Sequence, residues 1–208
     1  MNEIVEVLRS LIVNPESELK FSNNYELLVA VMLSAQCTDK RVNIVTEKLF
    51  KVASTPKDMV NLGVSGIESY IKSCNYYHNK AKNILNASKD IVERFDGQVP
   101  DNYDDLVSLS GVGNKTACVV LAVGFNQNTF PVDTHVLRVC NRLGLVSTKN
   151  PTICQGTMQS KFKSEKWGEI HHLILLFGRY YCTARNPKCD DCKLKKYCVY
   201  VGEKDVSR

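Results

Sequence analysis

The sequence predicts an all-α fold, and three observations carry that expectation. Apolar residues recur at helical spacing through most of the chain, no comparable series alternates with period two, and the six prolines all fall between the helical series. The first series is Ile4, Leu8, Leu11 and Ile12, and the second is Tyr25, Leu28, Val29 and Met32. Ile84, Ala87, Ile91 and Phe95 form the next, followed by Val136, Val139, Cys140 and Leu143, and then by Ile170, Leu173, Ile174 and Phe177. Ala117 to Phe125 is apolar on every side and rich in valine, so periodicity alone fits a buried helix or a buried strand. Helix is the expectation, because the sequence offers no partner strand. Gly178 stands inside the last series, where it costs a helix about 1 kcal/mol relative to alanine. Nothing in the sequence accounts for it.

With 208 residues, 44% hydrophobic and 24% charged, the chain has the mixture of an ordinary globular protein. A chain of this size buries roughly 70% of its unfolded surface, enough for one large core or two small ones. Its longest apolar stretch, Ala117 to Phe125, falls well short of the ~20 residues that a bilayer requires. Glu3 and Glu6 lie near the N-terminus without a cleavage-site pattern, so the expected location is cytoplasmic, nucleoid-associated in a prokaryote, with no membrane partner. No repeat, low-complexity tract or long linker separates two halves. If there are two domains, they are expected to share an interface, whose cleft would be the natural place for a site.

Net charge is only +5, but Arg179 to Arg208 holds eight Lys/Arg against four Asp/Glu. Such a local excess suits a surface that meets a polyanion, and equally suits a solvated polar face. Of nine cysteines, Cys37, Cys74, Cys118, Cys140 and Cys154 are scattered, whereas Cys182, Cys189, Cys192 and Cys198 are clustered. An odd count points to a reducing compartment, where clustered thiols bind metal and scattered ones pack as small hydrophobes.

Three motifs carry chemistry. In Leu109-Ser110-Gly111-Val112-Gly113-Asn114-Lys115-Thr116-Ala117, two glycines around a valine allow a tight turn. Unpaired N–H groups then open the following helix, and Gly111 and Gly113 become a sequence-independent phosphate grip. An ordinary helix–helix turn is the alternative. Lys115 in the first helical turn opposes the helix dipole. Partly desolvated in a cleft, its amine would lose its proton more readily and serve as a nucleophile, although a phosphate-binding lysine fits the same position. The second motif is Phe130-Pro131-Val132-Asp133-Thr134-His135-Val136, in which Asp133 is placed to cap a helix and, as an ionised carboxylate, to stabilise a cationic sugar or handle protons. The third is Cys182-x6-Cys189-x2-Cys192-x5-Cys198, four thiolates suited to Zn²⁺ or to an iron–sulfur cube. Closing that site would fix a loop carrying Arg185 and Lys188, whose use would be phosphate contact.

In this order and at these separations, the motifs resemble the endonuclease III family of DNA glycosylases with apurinic/apyrimidinic lyase activity. The likeness runs from about Leu8 to Cys198, and takes in Leu33-Ser34-Ala35-Gln36-Cys37-Thr38-Asp39, His171-His172 and Gly178-Arg179-Tyr180. The resemblance implies a two-domain, all-α helix-hairpin-helix DNA glycosylase fold with a cleft between the domains. A six-helix domain would span 20–128, and a discontinuous iron–sulfur domain would join 1–19 to 129–208. It also implies a [4Fe-4S] cluster on Cys182, Cys189, Cys192 and Cys198, with Lys115 as nucleophile and Asp133 as the catalytic carboxylate. Gln36 would enter the gap left by an extruded nucleotide, and Tyr76 in Asn75-Tyr76-Tyr77 would be the wedge. The implied partner is double-stranded DNA with damaged pyrimidines or abasic sites, and the implied state is a monomer. Asn75 stands where many members have glycine, Asn114 where a basic residue is common, and Cys37 where a small apolar residue is usual. A non-catalytic DNA-binding module and an electron carrier are the rival classes.

Overall fold

A computed structural model describes residues 2–201. Lys204 and Arg208, counted in the C-terminal charge excess, lie outside the described residues, as do the outermost ends of the expected discontinuous domain. The described residues form helices and no strand. The α-helices are α1 (Asn2–Leu11), α2 (Asn24–Ser34), α3 (Asp39–Leu49), α4 (Pro56–Ile71), α5 (Tyr77–Arg94), α6 (Tyr103–Ser108), α7 (Asn114–Gly124), α8 (Thr134–Arg142), α9 (Pro151–Lys161) and α10 (Trp167–Tyr180). Short 3-10 turns occupy Ser164–Lys166 and Lys195–Tyr197. The valine-rich stretch is helical, as expected, and forms most of α7.

The chain divides into two compact units, Ser17–Gln127 and Met1–Glu16 with Asn128–Arg208. The first holds α2 to α7. Its centre is α2, buried without interruption from Tyr25 to Leu33 and packed against α3, α5 and α7. Leu28, Leu33, Leu49, Met59, Ile71, Ile84 and Ile91 form its core. Helix starts here are written in the sequence: Asn23, Thr38, Thr55 and Asn102 each accept a main-chain N–H in the first turn they precede.

The second unit gathers α1, α8, α9 and α10 around Leu8, Phe130, Val136, Val139, Ile170, Leu173 and Phe177. Arg9 joins α1 to α10 through a two-pronged contact, Nε to Glu169 Oε1 at 2.6 Å and Nη2 to Oε2 at 2.8 Å. Gly178 finds its reason here, in a neighbour distant in sequence. A Cβ at that position would stand 2.9 Å from Val139 Cγ2 and 3.2 Å from the main-chain oxygen of His135. Because α8 and α10 touch backbone to backbone at this point, Arg138 Nη2 reaches the Gly178 carbonyl at 2.7 Å.

Gly178→Ala is therefore expected to lower stability by about 1–3 kcal/mol in a denaturant titration, against the trend of helix propensity. A neutral or stabilised variant would contradict the close approach. Hydrogen bonding to Arg9 holds the Glu169 carboxyl below its ordinary value of 4.5. Its contribution is thus present above the unfolded-state value and lost as pH falls through the lower folded one. The stability gap between the native protein and Glu169→Gln should be full at neutral pH and close during acidification below about pH 4.5.

Candidate active site

The expected hairpin is formed by α6, Leu109–Gly113 and α7. The loop is closed by Leu109 N donating to Leu106 O and Val112 N to Leu109 O, each at 3.1 Å. Gly111 is required twice over: its φ is +77°, and a Cβ would sit 2.7 Å from Asn83 Cβ on α5. Gly113 is a different case. Its φ of −100° suits any residue, and a Cβ there would meet nothing within 4 Å. The expectation that the turn itself demands both glycines therefore holds at 111 and is corrected at 113. Gly113 caps α7 without a side chain, and the first main-chain bond of the helix runs from Ala117 N to Gly113 O at 3.0 Å. α7 therefore starts without a capping side chain on its N-cap residue, with the helix dipole directed there.

Lys115 occupies this first turn and is exposed. That corrects the expectation of a partly desolvated amine: in the protein alone, surrounding side chains do not cover it. Asn114, where a basic residue is common in the family, accepts a bond from Cys118 Sγ at 3.2 Å through Oδ1.

Asp133 is the N-cap of α8 and is half-buried. One oxygen does all the capping: Oδ1 accepts His135 N and Val136 N, both at 2.8 Å. Oδ2 takes no part in the cap.

Gln36 and Tyr76 are both exposed and both adopt left-handed backbone conformations, with φ of +53° and +57°. Few residues other than glycine do so. The structure brings them together, because Asn75 Nδ2 donates to the Gln36 carbonyl at 2.8 Å. Beside them is a residue that sequence reasoning missed. Lys80 is only 8% exposed, and its Nζ donates to Leu33 O at 2.8 Å and Ala35 O at 2.7 Å. Burial lowers its pKa, and the neighbouring Cys37 and Cys74 thiols oppose that shift. The signal was available: Lys80 is a lone cation in register with Ile84, Ala87 and Ile91 on the apolar face of α5.

In the second unit, Cys182, Cys189, Cys192 and Cys198 line one pocket together with Leu143 and Phe177. Zn–S bonds of ~2.3 Å would draw four sulfurs into a tight tetrahedron. Four thiols lining one pocket are a donor set that a [4Fe-4S] cluster accepts, as does a tetrahedral zinc ion. Burial raises the pKa of the Cys192 thiol, a bond from the Leu194 amide lowers it, and the other three cysteines raise it further. Positive metal charge is what lets such a set ionise together. Two arginines of α8 hold Cys182: Arg138 donates to Cys182 O, and Arg142 Nη1 donates to Cys182 Sγ at 3.3 Å and Thr183 O at 2.8 Å. Arg185 and Lys188 are exposed on the loop that follows, with Lys188 Nζ 5.3 Å from the centre of the Tyr181 ring.

The chain is similar to known proteins over most of its length. The family model described as "HhH-GPD superfamily base excision DNA repair protein" matches residues 29–167, and "Iron-sulfur binding domain of endonuclease III" matches residues 182–198. Endonuclease III of Haemophilus influenzae is 43% identical over 198 residues, covering 95% of this chain and 94% of its own length. A solved structure of a trapped endonuclease III–DNA covalent intermediate superposes with a TM-score of 0.92 at 38% identity, covering 95% of this chain and 93% of that one. A non-covalent endonuclease III–DNA complex does so with a TM-score of 0.95 at 36% identity, covering 100% of this chain and 97% of that one.

If the Arg142 bond to Cys182 Sγ helps retain the iron–sulfur cluster, Arg142→Ala should lose its visible absorbance to an iron chelator several-fold faster than the native protein, with helical circular dichroism unchanged at the start. Equal rates of loss would exclude such a role.

Proposed function

Since the chain belongs to the endonuclease III family, and is accordingly a base-excision DNA glycosylase with AP lyase activity that holds a [4Fe-4S] cluster, we propose how its own residues divide that work. The start of α7 takes a DNA phosphate on its first amides, with Gly113 leaving room for the approach. Lys115, two residues into the same helix, is then delivered to the adjoining sugar. Its exposure in the protein alone means that desolvation of the amine comes with the DNA.

A damaged pyrimidine is out of reach inside the stack. The nucleotide rotates outward at a cost of a few kcal/mol, which damage reduces. Gln36 and Tyr76, exposed on neighbouring loops, enter the space it leaves. The amine of Lys115, uncharged at the moment of attack, forms a bond to C1′ as the glycosidic C–N bond breaks, and the base leaves with its electron pair and gains a proton. Ring opening gives a Schiff base. Loss of a C2′ proton then expels the 3′ phosphate by β-elimination. Asp133 acts through Oδ2, offsetting positive charge on the sugar and receiving protons, while Oδ1 keeps the helix capped. The cluster is structural in this account, fixing the loop that presents Arg185 and Lys188 to phosphates. The same reading has the enzyme act as a monomer in the cytoplasm.

The observation that carries the proposal is the coincidence of a helix start with no capping side chain on its N-cap residue and an exposed lysine in its first turn. Borohydride should trap the native enzyme covalently on DNA with an oxidised pyrimidine or abasic site, and Lys115→Ala should give no adduct while still binding. Asp133→Asn keeps a capping oxygen, so its stability should change by less than about 1 kcal/mol while turnover falls at least 100-fold. Trapping by Lys115→Ala, or full activity in Asp133→Asn, would overturn the assignment.

A further inference from the structure

The segment that carries Gln36 begins where α2 ends, and a helix end leaves main-chain carbonyls without helical partners. Here they are accounted for nearly one by one. Ser34 Oγ donates to Val31 O at 2.8 Å, and Cys37 N donates to Ser34 O at 3.1 Å. Leu33 O and Ala35 O both take bonds from Lys80 Nζ, and Gln36 O takes one from Asn75 Nδ2. Three of these five bonds come from the start of α5, which is also where Tyr76 stands.

Lys80 is joined to Tyr76 as well as to the Gln36 segment. Its own amide makes the first main-chain bond of α5, donating to Tyr76 O at 3.0 Å. One residue therefore grips the backbone on both sides of the pair: amide on Tyr76, ammonium on the carbonyls that flank Ser34. Burying an ammonium to bind neutral carbonyls is a costly way to finish a helix, since apolar replacements of buried charges often stabilise a protein. What the arrangement secures is position. Gln36 and Tyr76 each sit in a strained backbone region that persists only where surroundings impose it.

We propose that Lys80 and Asn75 are positioning residues that lock Gln36 and Tyr76 into a single preset two-pronged insert, so that both prongs enter a duplex together. This rests on the reading above, in which those two side chains fill the space vacated by the extruded nucleotide. Asn75, which departs from the glycine common in the family, supplies a tie that glycine could not make. The prongs then have little freedom left to lose on binding, and the gain falls in the extrusion step and not in the covalent chemistry.

The test uses the cluster-loaded enzyme and a duplex with 2-aminopurine opposite the lesion, whose fluorescence reports unstacking, alongside single-turnover cleavage. Asn75→Leu removes the donor at an exposed site with similar volume, and Lys80→Met does so in the buried one; the melting midpoint of each is measured. Both should reduce the 2-aminopurine signal and slow duplex cleavage, Asn75→Leu about 10-fold, the scale of one lost hydrogen bond, and Lys80→Met, which loses two, at least as much. Borohydride trapping on a single-stranded abasic oligonucleotide should stay within about twofold of native, since no extrusion is needed there. Asn75→Leu keeps the proposal testable should Lys80→Met fail to fold.

Gln36→Ala separates the two levels of the argument. If it alone slows duplex cleavage, and Asn75→Leu adds little further loss on top of it, the tie acts through Gln36 and the proposal stands. If the two losses multiply independently, or if single-strand trapping falls in parallel with duplex cleavage, the positioning role is overturned while the insertion reading survives. If Gln36→Ala leaves both signals at native level, the insertion reading itself fails.

Discussion

The ends of helices, where backbone groups lose their partners, are the constraint around which this protein is arranged. A chain built from short helices has many such ends, and each must be answered by a side chain, by water or by a ligand. Asn23, Thr38, Thr55, Asn102 and Asn150 answer theirs with ordinary caps, and those helices serve as scaffold. Three ends handled differently fall at candidate site residues. α7 starts on a glycine with no capping side chain, α8 starts on a carboxylate that caps with one oxygen, and α2 finishes on a buried ammonium. The last turn of α10 passes its Gly178 carbonyl to an arginine that also binds the first cluster cysteine.

This pattern explains what could be read from the sequence. The helices were legible because their apolar stripes and caps are local, and α7 was legible because a strand without a partner would leave its amides unsatisfied. The four-cysteine set was visible as a metal site, and its spacing, with a single Cys-x2-Cys pair, favoured a cube over zinc without deciding it. The match of residues 182–198 to the iron–sulfur binding domain of endonuclease III makes that choice. Gly178 was unreadable for a related reason, since its constraint comes from Val139 and His135, some forty residues away. The two hairpin glycines look equivalent in the sequence. Only the structure separates Gly111, pressed against Asn83, from Gly113, which faces open space.

Lys80 illustrates a signal that was present and passed over. A lone cation on an apolar helix face reads as an imperfection in the pattern, or as a side chain that snorkels to solvent. In the folded unit its stem follows the core and its head meets main-chain oxygens, so its partners leave no mark in sequence: any residue supplies a carbonyl. Motif-bearing partners are legible in pairs, whereas a side chain that binds backbone is legible only from its own side.

The helix α8 draws these strands together within the second unit. It is nine residues long, roughly 14 Å at 1.5 Å per residue, and is short enough to behave as a stiff rod. Asp133 sits at its start, while Arg138 and Arg142 further along hold the carbonyl and the sulfur of Cys182. Backbone contact with α10 at Gly178 pins the same rod from the side. The Asp133 carboxylate is therefore carried by a helix whose far half is tied to Cys182, the first of the four clustered cysteines. The two arginines bind main-chain oxygen and sulfur, so the position of α8 and that of the cysteine segment are fixed together within this unit.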